Sequence, residues 1–419
     1  MDAGSGAHAR AEELARTVYG RLLAILAARD SDIALAEDCL ADAFVQALQS
    51  WPSVGIPGNP EGWLLTVARN RQRDRQRSAV YRQEESLAAV QGTPEMAALE
   101  NLDPEAIPDR RLALLFVCAH PAIDPAVRTP LMLQAVLGFE ARQIARAFAI
   151  PPSAMAQRLV RAKRRIRESR IPFVVPERSQ MEPRLVPVLE AIYGAYAIDF
   201  PLVAGMVARE SLAAESQYLA ATLADLLPDE PEVLGLAALL SLSLARHPAR
   251  GADDQFVPLS EQDVTRWDRQ LIALGEAYLR RAKRRQRVGR FQLEAALQSV
   301  HCARATTGVT DWQALKRLHA ALLNLAPTLG AQVAHAAAVG QVDGAEAGLA
   351  ALDAIADPAV ARFQPALATR AHLLAAAGKL AAARQAFDRA VALTTSPAAR
   401  KYLEQKASAL GDRLDTQST

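Results

Sequence analysis

A predicted helix near the middle of the chain carries enough cationic side chains to bind a polyanion such as DNA. It follows a turn at residues 150–153 and places Met155, Leu159 and Ile166 within one apolar arc. Its basic residues are Arg158, Arg161, Lys163, Arg164, Arg165, Arg167 and Arg170. An apolar arc that packs and a basic surface that faces outward suit a helix that contacts phosphates in a DNA groove. By itself, this stretch supports DNA binding and a solvated helix face equally.

A shorter helix precedes the basic one, and the two together have the pattern of a helix-turn-helix. Ile144, Ala145 and Phe148 recur at helical spacing, and the proline pair at residues 151–152 ends that first helix. The basic helix then begins either with Ser153 as its N-cap or with a proline in its first turn.

Two further basic runs lie elsewhere in the chain. Residues 69–77 hold an arginine at every second position, and residues 280–290 are also rich in Arg and Lys. The net charge is only +2, so a nucleic-acid signal must come from local clusters such as these. For residues 280–290, a solvated helix face is favoured over a DNA contact.

The composition indicates an all-α protein with several domains. The chain has 419 residues, 51% of them hydrophobic, and no stretch alternates as a strand would. Cys39, Cys118 and Cys302 lie apart among apolar residues, as reduced core cysteines of a cytosolic protein would. Cys118 and His120 lack a second ligand pair, so no zinc is expected. No apolar leader or spanning run is present, so a cytoplasmic protein without a membrane segment is expected.

Helical periodicity continues through most of the chain. In the N-terminal part, apolar spacing predicts helices at residues 11–29, 30–51, 60–77, 109–120 and 125–137. Residues 52–60 are rich in turn formers and are predicted to be a loop, and residues 83–108 a linker.

The C-terminal part is predicted to be a stack of helix pairs. Residues 184–412 form a succession of Ala- and Leu-rich helices, which bury their apolar faces best by stacking. The last pair approximates a tetratricopeptide spacing at Ala371, Leu374, Gly378, Ala383, Phe387, Ala390 and Pro397. The upstream pairs keep the length but little of that signature. We therefore expect two small helical domains followed by an α-solenoid-like, tetratricopeptide-like domain.

Three blocks of the N-terminal part resemble a bacterial sigma factor of the extracytoplasmic-function (ECF) type, within the sigma-70 family. Residues 32–51 resemble the region 2 helix that docks on the clamp of RNA polymerase. Residues 59–77 resemble the segment that handles the promoter −10 element. Residues 138–165 resemble region 4, whose helix-turn-helix reads the −35 element. The long extension, with Phe116–Ala122 and Met155–Lys163, resembles the subgroup that carries a tetratricopeptide-like C-terminal domain.

The resemblance implies an order of domains and a set of partners. The implied domains are region 2 at 1–82, a linker at 83–108, region 4 at 109–175 and a helical, regulatory domain at 176–419. The implied partners are the clamp and flap of core RNA polymerase, and promoter DNA. Typical ECF sigma factors are silenced by separate anti-sigma proteins, whereas a fused helical domain suggests control within the chain. That domain would contact the sigma regions or bind a regulatory protein.

The resemblance also implies roles for individual residues. Contacts with the −10 element are expected from Asn59, Trp63, Arg69, Asn70, Arg73 and Arg77. Contacts with the −35 element are expected from Ser153, Gln157, Arg158, Arg161, Lys163, Arg164 and Arg165. Contacts with core polymerase are expected from Asp38, Asp42, Phe44 and Leu48. Among the −35 residues, Gln157 could pair with adenine and Arg158 with guanine, whereas the later cations suit phosphates.

Several of these positions have a structural alternative. Trp63 continues an apolar helix face, so a core position is favoured over base stacking. Asn70 could pack against the loop or contact DNA. Asp38 and Asp42 could form a merely solvated acidic face, and the pair Ala41-Asp42 departs from the Gln-acid pair that many family members carry.

Two other classes of protein remain open. A helix-turn-helix regulator that binds an operator unaided would explain residues 139–170 but not 32–77. An α-solenoid scaffold without a DNA role would make the C-terminal part the functional one. No glycine-rich phosphate loop, metal-ligand cluster or nucleophile set indicates an enzyme, so neither catalysis nor a cofactor is expected.

Overall fold

The computed structural model describes residues 3–84, 107–199, 212–250 and 256–417. These residues form helices and connecting turns with no strand among them, so the predicted all-α fold is confirmed. The chain divides into two compact units, one within Met1–Ile198 and the other within Ala213–Thr419. Most of the predicted linker 83–108 lies outside the described residues. No helix in the described ranges is both long enough and apolar enough to span a membrane.

The N-terminal unit is built from two groups of helices. Its helices are α1 (Ala3–Thr17), α2 (Tyr19–Asp30), α3 (Ile33–Val54), α4 (Pro60–Glu84), α5 (Ile107–Cys118), α6 (Pro125–Ala135), α7 (Ala141–Ala147), α8 (Pro152–Glu168) and α9 (Arg178–Asp199). In the first group, α3 contacts α1, α2 and α4. In the second group, α6 contacts α5, α7 and α8. The second group also includes α9, because the side chain of Arg184 reaches the main-chain oxygen of Phe116 at 3.5 Å.

The predicted helix at residues 11–29 is two helices that meet at Val18. The backbone of Val18 is not helical, with φ −120° and ψ −4°, although its N–H still donates to the oxygen of Leu14. The predicted apolar face is confirmed, because Leu14, Val18, Leu22, Ile25 and Leu26 are all buried. The chain bends at Val18 without losing that face.

Helix α3 begins where the sequence predicts and ends later. The side chain of Asp32 accepts a hydrogen bond from the Leu35 N–H, as an N-cap residue does. The helix continues past Pro52 to Val54, whereas a loop was predicted from residue 52. A proline near a helix end removes a single donor, and here the Ser53 hydroxyl donates to the oxygen of Ser50.

Helices α7 and α8 pack on each other across a tight turn. Ala149 adopts a left-handed backbone with φ 51°, and the Ile150 N–H donates to the oxygen of Ala145, which is a Schellman-type helix end. Ile144 and Ala145 are buried as predicted, whereas Phe148 is 38% exposed because the turn directs it outward. Helix α8 starts with Pro152 in its first turn.

The C-terminal unit is a longer series of helices. They are α10 (Leu212–Leu226), α11 (Pro231–Leu244), α12 (Arg269–Lys283), α13 (Arg290–Thr307), α14 (Trp312–Leu325), α15 (Leu329–Asp343), α16 (Ala345–Asp353), α17 (Gln364–Ala376), α18 (Leu380–Leu393) and α19 (Pro397–Gln417). Helix α11 is buried on almost every side and contacts α12 and α13. A helix that is apolar all round lies inside a core. Gly235 allows this packing, because a Cβ there would lie 2.7 Å from the nitrogen of Gln292.

The last helices pair as their small residues predict. Ala371, Ala383, Phe387 and Ala390 are buried in one core that α17, α18 and α19 share. Gly378 ends the turn between α17 and α18 with φ 75°, a left-handed backbone that glycine adopts without strain. Helix α18 therefore packs on both α17 and α19.

Three of the seven cations in the basic run at residues 280–290 form local ion pairs. Arg285 pairs with Asp229, Arg287 pairs with Glu230 at 3.0 Å, and Arg290 pairs with Glu294 at 2.7 Å. The run therefore joins neighbouring helices of the C-terminal unit, and its charge is partly neutralised within that unit.

A buried histidine makes the stability of the C-terminal unit depend on pH. His301 packs edge-on against Trp312, with ring centroids 6.3 Å apart. Burial, together with the nearby Arg246, lowers the pKa of His301 to about 3. In the unfolded chain the His301 ring binds a proton with a pKa near 6.5, whereas in the folded unit the ring stays neutral at that pH.

We expect this histidine to cost stability as the pH falls. Between pH 6.5 and 5, the free energy of unfolding should fall by about 1.4 kcal/mol per pH unit on account of His301. In urea titrations at pH 7.5 and 5, His301→Gln should lose about 2 kcal/mol less than the wild type. His8→Gln, a change at an exposed position, is the control. Equal losses in both variants would contradict the assignment.

Candidate nucleic-acid interface

Helix α8 presents a basic surface outward and an apolar one inward. Met155, Leu159 and Ile166 are at most 1% exposed, which confirms the predicted apolar arc. Six of the seven −35 candidates on this helix are exposed. They are Ser153, Gln157, Arg158, Arg161, Arg164 and Arg165. Arg164 lies 3.5 Å from Glu168, one turn further on. The exposed cations are placed to meet a polyanion without rearrangement of the helix.

Part of this surface lines a groove between α8 and the start of α6. The groove has a volume of about 540 Å³, and Arg158, Arg161 and Arg165 line one side of it. On the other side, Asp124 caps α6 by accepting a hydrogen bond from the Ala126 N–H. Guanidinium groups that share a groove suit phosphate oxygens, because each can donate two parallel hydrogen bonds.

Lys163 is the exception among the −35 candidates. Its side chain is 8% exposed, and its Nζ atom lies 2.7 Å and 2.5 Å from the two carboxylate oxygens of Glu37 on α3. Burial raises the pKa of the Glu37 carboxyl, and the Lys163 ammonium opposes that rise. Glu37 therefore faces the second group of helices. In this arrangement Lys163 does not face solvent.

The arginine run on α4 is divided among several surroundings. Arg69 and Arg73 are half-buried, whereas Asn70 and Arg77 are exposed. Burial lowers the pKa of the Arg69 guanidinium, and the neighbouring Arg110 and Arg29 contribute to the lowering. Two of the −10 candidates therefore face outward on α4, and two lie partly within the unit.

Trp63 lies partly in the core and partly at the surface. Its ring meets the edge of the buried Trp51, with centroids 5.5 Å apart and planes at 62°. The Asn59 side chain accepts a hydrogen bond from the Gly62 N–H at 2.9 Å, which caps the start of α4. Exposed Val54 and Ile56 border the same loop. The structure thus brings Asn59 and Trp63 to one end of α4, beside an exposed apolar loop.

The outer face of α3 combines acidic and apolar residues. Asp38 and Asp42 both pair with Arg75 of α4, at 3.0 Å and 2.8 Å. Leu48 is 38% exposed, and Val45, one turn before it, is 52% exposed. Phe44, which is also expected to contact core polymerase, is half-buried.

Four residues of these surfaces were missed from the sequence. Val45 lies three positions before Leu48, a spacing that places both on one helix face. Arg75 lies in the arginine run, but no spacing rule connects it with α3. Glu37 lies at helical spacing from buried Ile33 and Leu40, which was a usable signal. Gln143 completes a capping box with Glu140 at the start of α7.

The cysteines and His120 lie in the interior or in local contacts. Cys39, Cys118 and Cys302 are buried, and none of them forms a disulfide bond. Burial raises the pKa of the Cys302 thiol to about 11. The His120 ring accepts a hydrogen bond from the Ala122 N–H. Among the residues that the structure describes, no group of three or more His, Cys, Asp or Glu side chains could hold a metal ion.

Comparison with known proteins identifies the first group of helices. The Sigma-70 region 2 family matches residues 14–80, which span α1 to α4. A probable ECF RNA polymerase sigma factor SigI of Mycobacterium tuberculosis is 33% identical over 144 residues, covering 33% of this chain and 48% of the relative. The region 2 match and this relative support a sigma factor of the sigma-70 family, with a role in transcription initiation.

The relationship to a particular family extends over most of the chain. The uncharacterized protein R00370 of Rhizobium meliloti is 34% identical over 378 residues, which is 89% of each chain. The chain belongs to the same family as this protein. A family of unknown function (DUF6596) matches residues 184–283, which begin within α9 and end with α12. None of the solved structures matches the chain.

Proposed function

We propose that this protein is an ECF-type sigma factor that reads both elements of a promoter. Helix α8 contacts the −35 element, with Gln157 and Arg158 at base edges and the later cations on phosphates. Helix α4 and the loop before it contact the −10 element, and the outer face of α3 contacts the clamp of core polymerase. The observation that carries the proposal is the exposed basic surface of α8, in the same compact unit as the region 2 match.

The −10 assignment rests on the end of α4. A sigma factor promotes opening of the duplex, and a flipped base can be held in a protein pocket while cations bind the strand's phosphates. Trp63 and the apolar loop could form such a pocket, and Asn70, Arg73 and Arg77 could hold the strand. Asn59 would then act by fixing the start of α4, because its side-chain oxygen is occupied.

The C-terminal unit would regulate the sigma regions. Its stacked helix pairs support a tetratricopeptide-like domain that binds a regulatory protein or the sigma regions themselves. The protein would make and break no bonds, because the polymerase supplies the chemistry of initiation.

The direct test is transcription from a promoter library with purified core polymerase. We expect this chain to give transcripts that share a −35 and a −10 motif, and core polymerase alone to give none of them. In gel shifts, the chain alone should bind promoter DNA weakly and the holoenzyme tightly. Tight, symmetric binding to a palindrome without polymerase would instead indicate a stand-alone regulator.

Replacing single arginines of α8 should separate base readout from phosphate binding. Arg158→Ala should relax the preference at one base pair of the −35 element, at a cost of about 1–3 kcal/mol for the preferred base. Arg164→Ala should weaken holoenzyme binding to all promoters alike and reduce its salt dependence. Library sequencing and salt titrations measure the two effects, and identical profiles for both variants would refute the distinction.

A further inference from the structure

A short segment of the C-terminal unit bridges two helices that are distant in the chain. This bridging segment, residues 256–262, precedes α12 and contains one short 3₁₀ helix, Leu259–Glu261. Helices α13 to α19 follow one another, and each packs on the next. The bridging segment contacts α13 at one end of this series and α19 at the other. The series therefore curves enough for its first and last helices to meet the same few residues.

The contact with α13 is made through main-chain atoms of the bridging segment. The Arg304 guanidinium donates to the main-chain oxygen of Ser260 at 2.9 Å and to that of Gln262 at 2.7 Å. It also lies over the ring of Trp267, 5.1 Å from the ring centre, which helps to fix its position. Every residue has a main-chain oxygen, so any segment with this backbone conformation offers Arg304 the same two acceptors.

The contact with α19 depends on particular side chains. The Nζ atom of Lys406 lies 3.3 Å from a carboxylate oxygen of Glu261, the residue between the two that Arg304 binds. One turn earlier on α19, the ring of Tyr402 meets the ring of Phe256, with centroids 5.3 Å apart. The Lys406 ammonium lies 5.1 Å from the centre of the same Tyr402 ring. Two residues on one face of α19 thus hold a carboxylate and an aromatic ring.

Helix α17 borders the same place. Burial lowers the pKa of His372 on α17, Lys406 adds to the lowering and Glu261 opposes it. Both charges therefore lie close enough to act on the His372 ring. That ring packs edge-on against Phe387, with centroids 5.0 Å apart. The bridging segment thus lies in a site that α13, α17 and α19 surround.

The bridging segment is held more loosely than the chain that follows it. Gln262 is buried, but its side chain bonds within the segment, to the main-chain oxygen of Val257. No other residue of the segment is buried, and Phe256 is 47% exposed. The ion pair to α19 is exposed too, and such pairs contribute little to stability. By contrast, Trp267 is 3% exposed and Asp268 caps α12. The segment can therefore leave its site while the chain stays anchored after it.

We propose that Arg304, Tyr402 and Lys406 form a peptide-binding site, and that the bridging segment occupies it in the absence of a partner protein. The partner presents a short segment with an aromatic residue and, about five positions later, a carboxylate, as the bridging segment itself does. The inference rests on the proposed regulatory role of the C-terminal unit, for which it names a surface and a kind of partner. Binding of the partner releases residues 256–262, and the tethered segment sets the concentration at which this happens.

The test uses a fluorescent peptide with the sequence of residues 256–262, added to the full chain and followed by anisotropy. Replacing Phe256→Ala and Glu261→Lys together should vacate the site and leave the helices intact, because both side chains are exposed. This vacated variant should bind the peptide about tenfold more tightly than the wild type, whose own segment competes. Val309→Ala with Asp388→Lys makes the same kinds of change at other exposed positions of the unit. This control should bind the peptide as the wild type does.

A charge reversal separates recognition of the carboxylate from a general loss of structure. The vacated variant should bind the peptide about tenfold less tightly when lysine replaces its glutamate, because an ammonium would then face Lys406. Adding Lys406→Glu to the vacated variant should reverse that preference. Lys401→Glu, at an exposed position of the same helix, should leave it as it was. Equal affinity of the vacated variant for both peptides would refute recognition of an acidic partner.

Hydrogen exchange measures release of the bridging segment. In the wild type, saturating peptide should raise exchange of the amides at 257–262 and leave those of α12 unchanged. If the vacated variant binds no more tightly than the wild type and the peptide releases nothing, the segment is a fixed part of the fold and the proposal is overturned.

These measurements need neither polymerase nor promoter, so their outcome is distinct from that of the transcription test. If the peptide binds as expected but the chain directs no promoter-specific transcription, the site stands and the sigma assignment fails. If transcription succeeds and the vacated variant does not bind the peptide, the site is refuted and the sigma assignment stands.

Discussion

Replacing Phe116 by Ala should lower the free energy of unfolding of the N-terminal unit by about 3–5 kcal/mol. Phe116 is fully buried in α5, and α5 packs between α2 and α6. Removing the ring therefore leaves a cavity where both groups of helices meet, and a buried site of this kind relaxes only in part. The loss should appear as a lower midpoint in urea and as a lower melting temperature.

A matched substitution lies in the C-terminal unit. Phe387 is 2% exposed in a core that α17, α18 and α19 share, so Phe387→Ala should destabilise that unit by a similar amount. Because each unit has its own core, calorimetry should resolve two transitions, and each variant should move only one of them. A single transition that both variants shift equally would contradict separate unfolding. A loss below about 1 kcal/mol for Phe116→Ala would contradict the packing of α5.

The fold was largely predictable because helical periodicity is a local property. The apolar faces of α1, α2 and α8 follow directly from residue spacing, and burial confirms them. Helix ends were less predictable, since they depend on single hydrogen bonds. Pro52 looked like a loop residue but lies within α3, and Val18 divides a helix that the pattern shows as continuous.

The contact between the two groups of helices in the N-terminal unit was not predicted, although the spacing of the sequence contained part of the information. Lys163 follows Leu159 by four positions and precedes Ile166 by three, so the spacing placed it on the buried face. We nevertheless predicted an exposed position from its charge, because lysine is rarely buried unless it is paired. The partner, Glu37, is far away in the sequence, and periodicity carries no information about which distant residues meet. Gly20 likewise gives no signal in the sequence, although in the structure a Cβ at this position would overlap the main-chain oxygen of Val136.

The end of the N-terminal unit also depends on contacts that the sequence does not display. The resemblance implies that region 4 ends at residue 175, and the compact unit that contains it continues to Ile198. Helix α9 buries Val188 and Ile192, and its Arg184 bonds to the oxygen of Phe116. A truncation that tests regulation by the C-terminal unit should therefore follow Asp199, because one after Val175 would expose the apolar face that α9 covers.

Replacing Leu48 by Glu should weaken binding to core polymerase by about thirtyfold or more, if the outer face of α3 is the docking surface. A glutamate at this position would bury an unpaired charge in the interface, and a loss of about 2 kcal/mol is about thirtyfold in Kd. Asp38 and Asp42 already pair with Arg75, so their charges are partly satisfied before any partner arrives. The unsatisfied feature of this face is apolar, at Leu48 and Val45. We therefore expect Leu48→Glu to cost more affinity than Asp38→Ala.

The measurement is a titration of core polymerase with the labelled chain, followed by fluorescence anisotropy. Leu48 is 38% exposed, so a glutamate there should leave the fold intact, which circular dichroism can check. Val309→Glu makes the same kind of change at a position that is 68% exposed in the C-terminal unit, and it should leave affinity unchanged. If Leu48→Glu binds as the wild type does while Asp38→Ala does not, the acids carry the contact and the apolar face does not. If neither variant changes the affinity, α3 is not the docking helix.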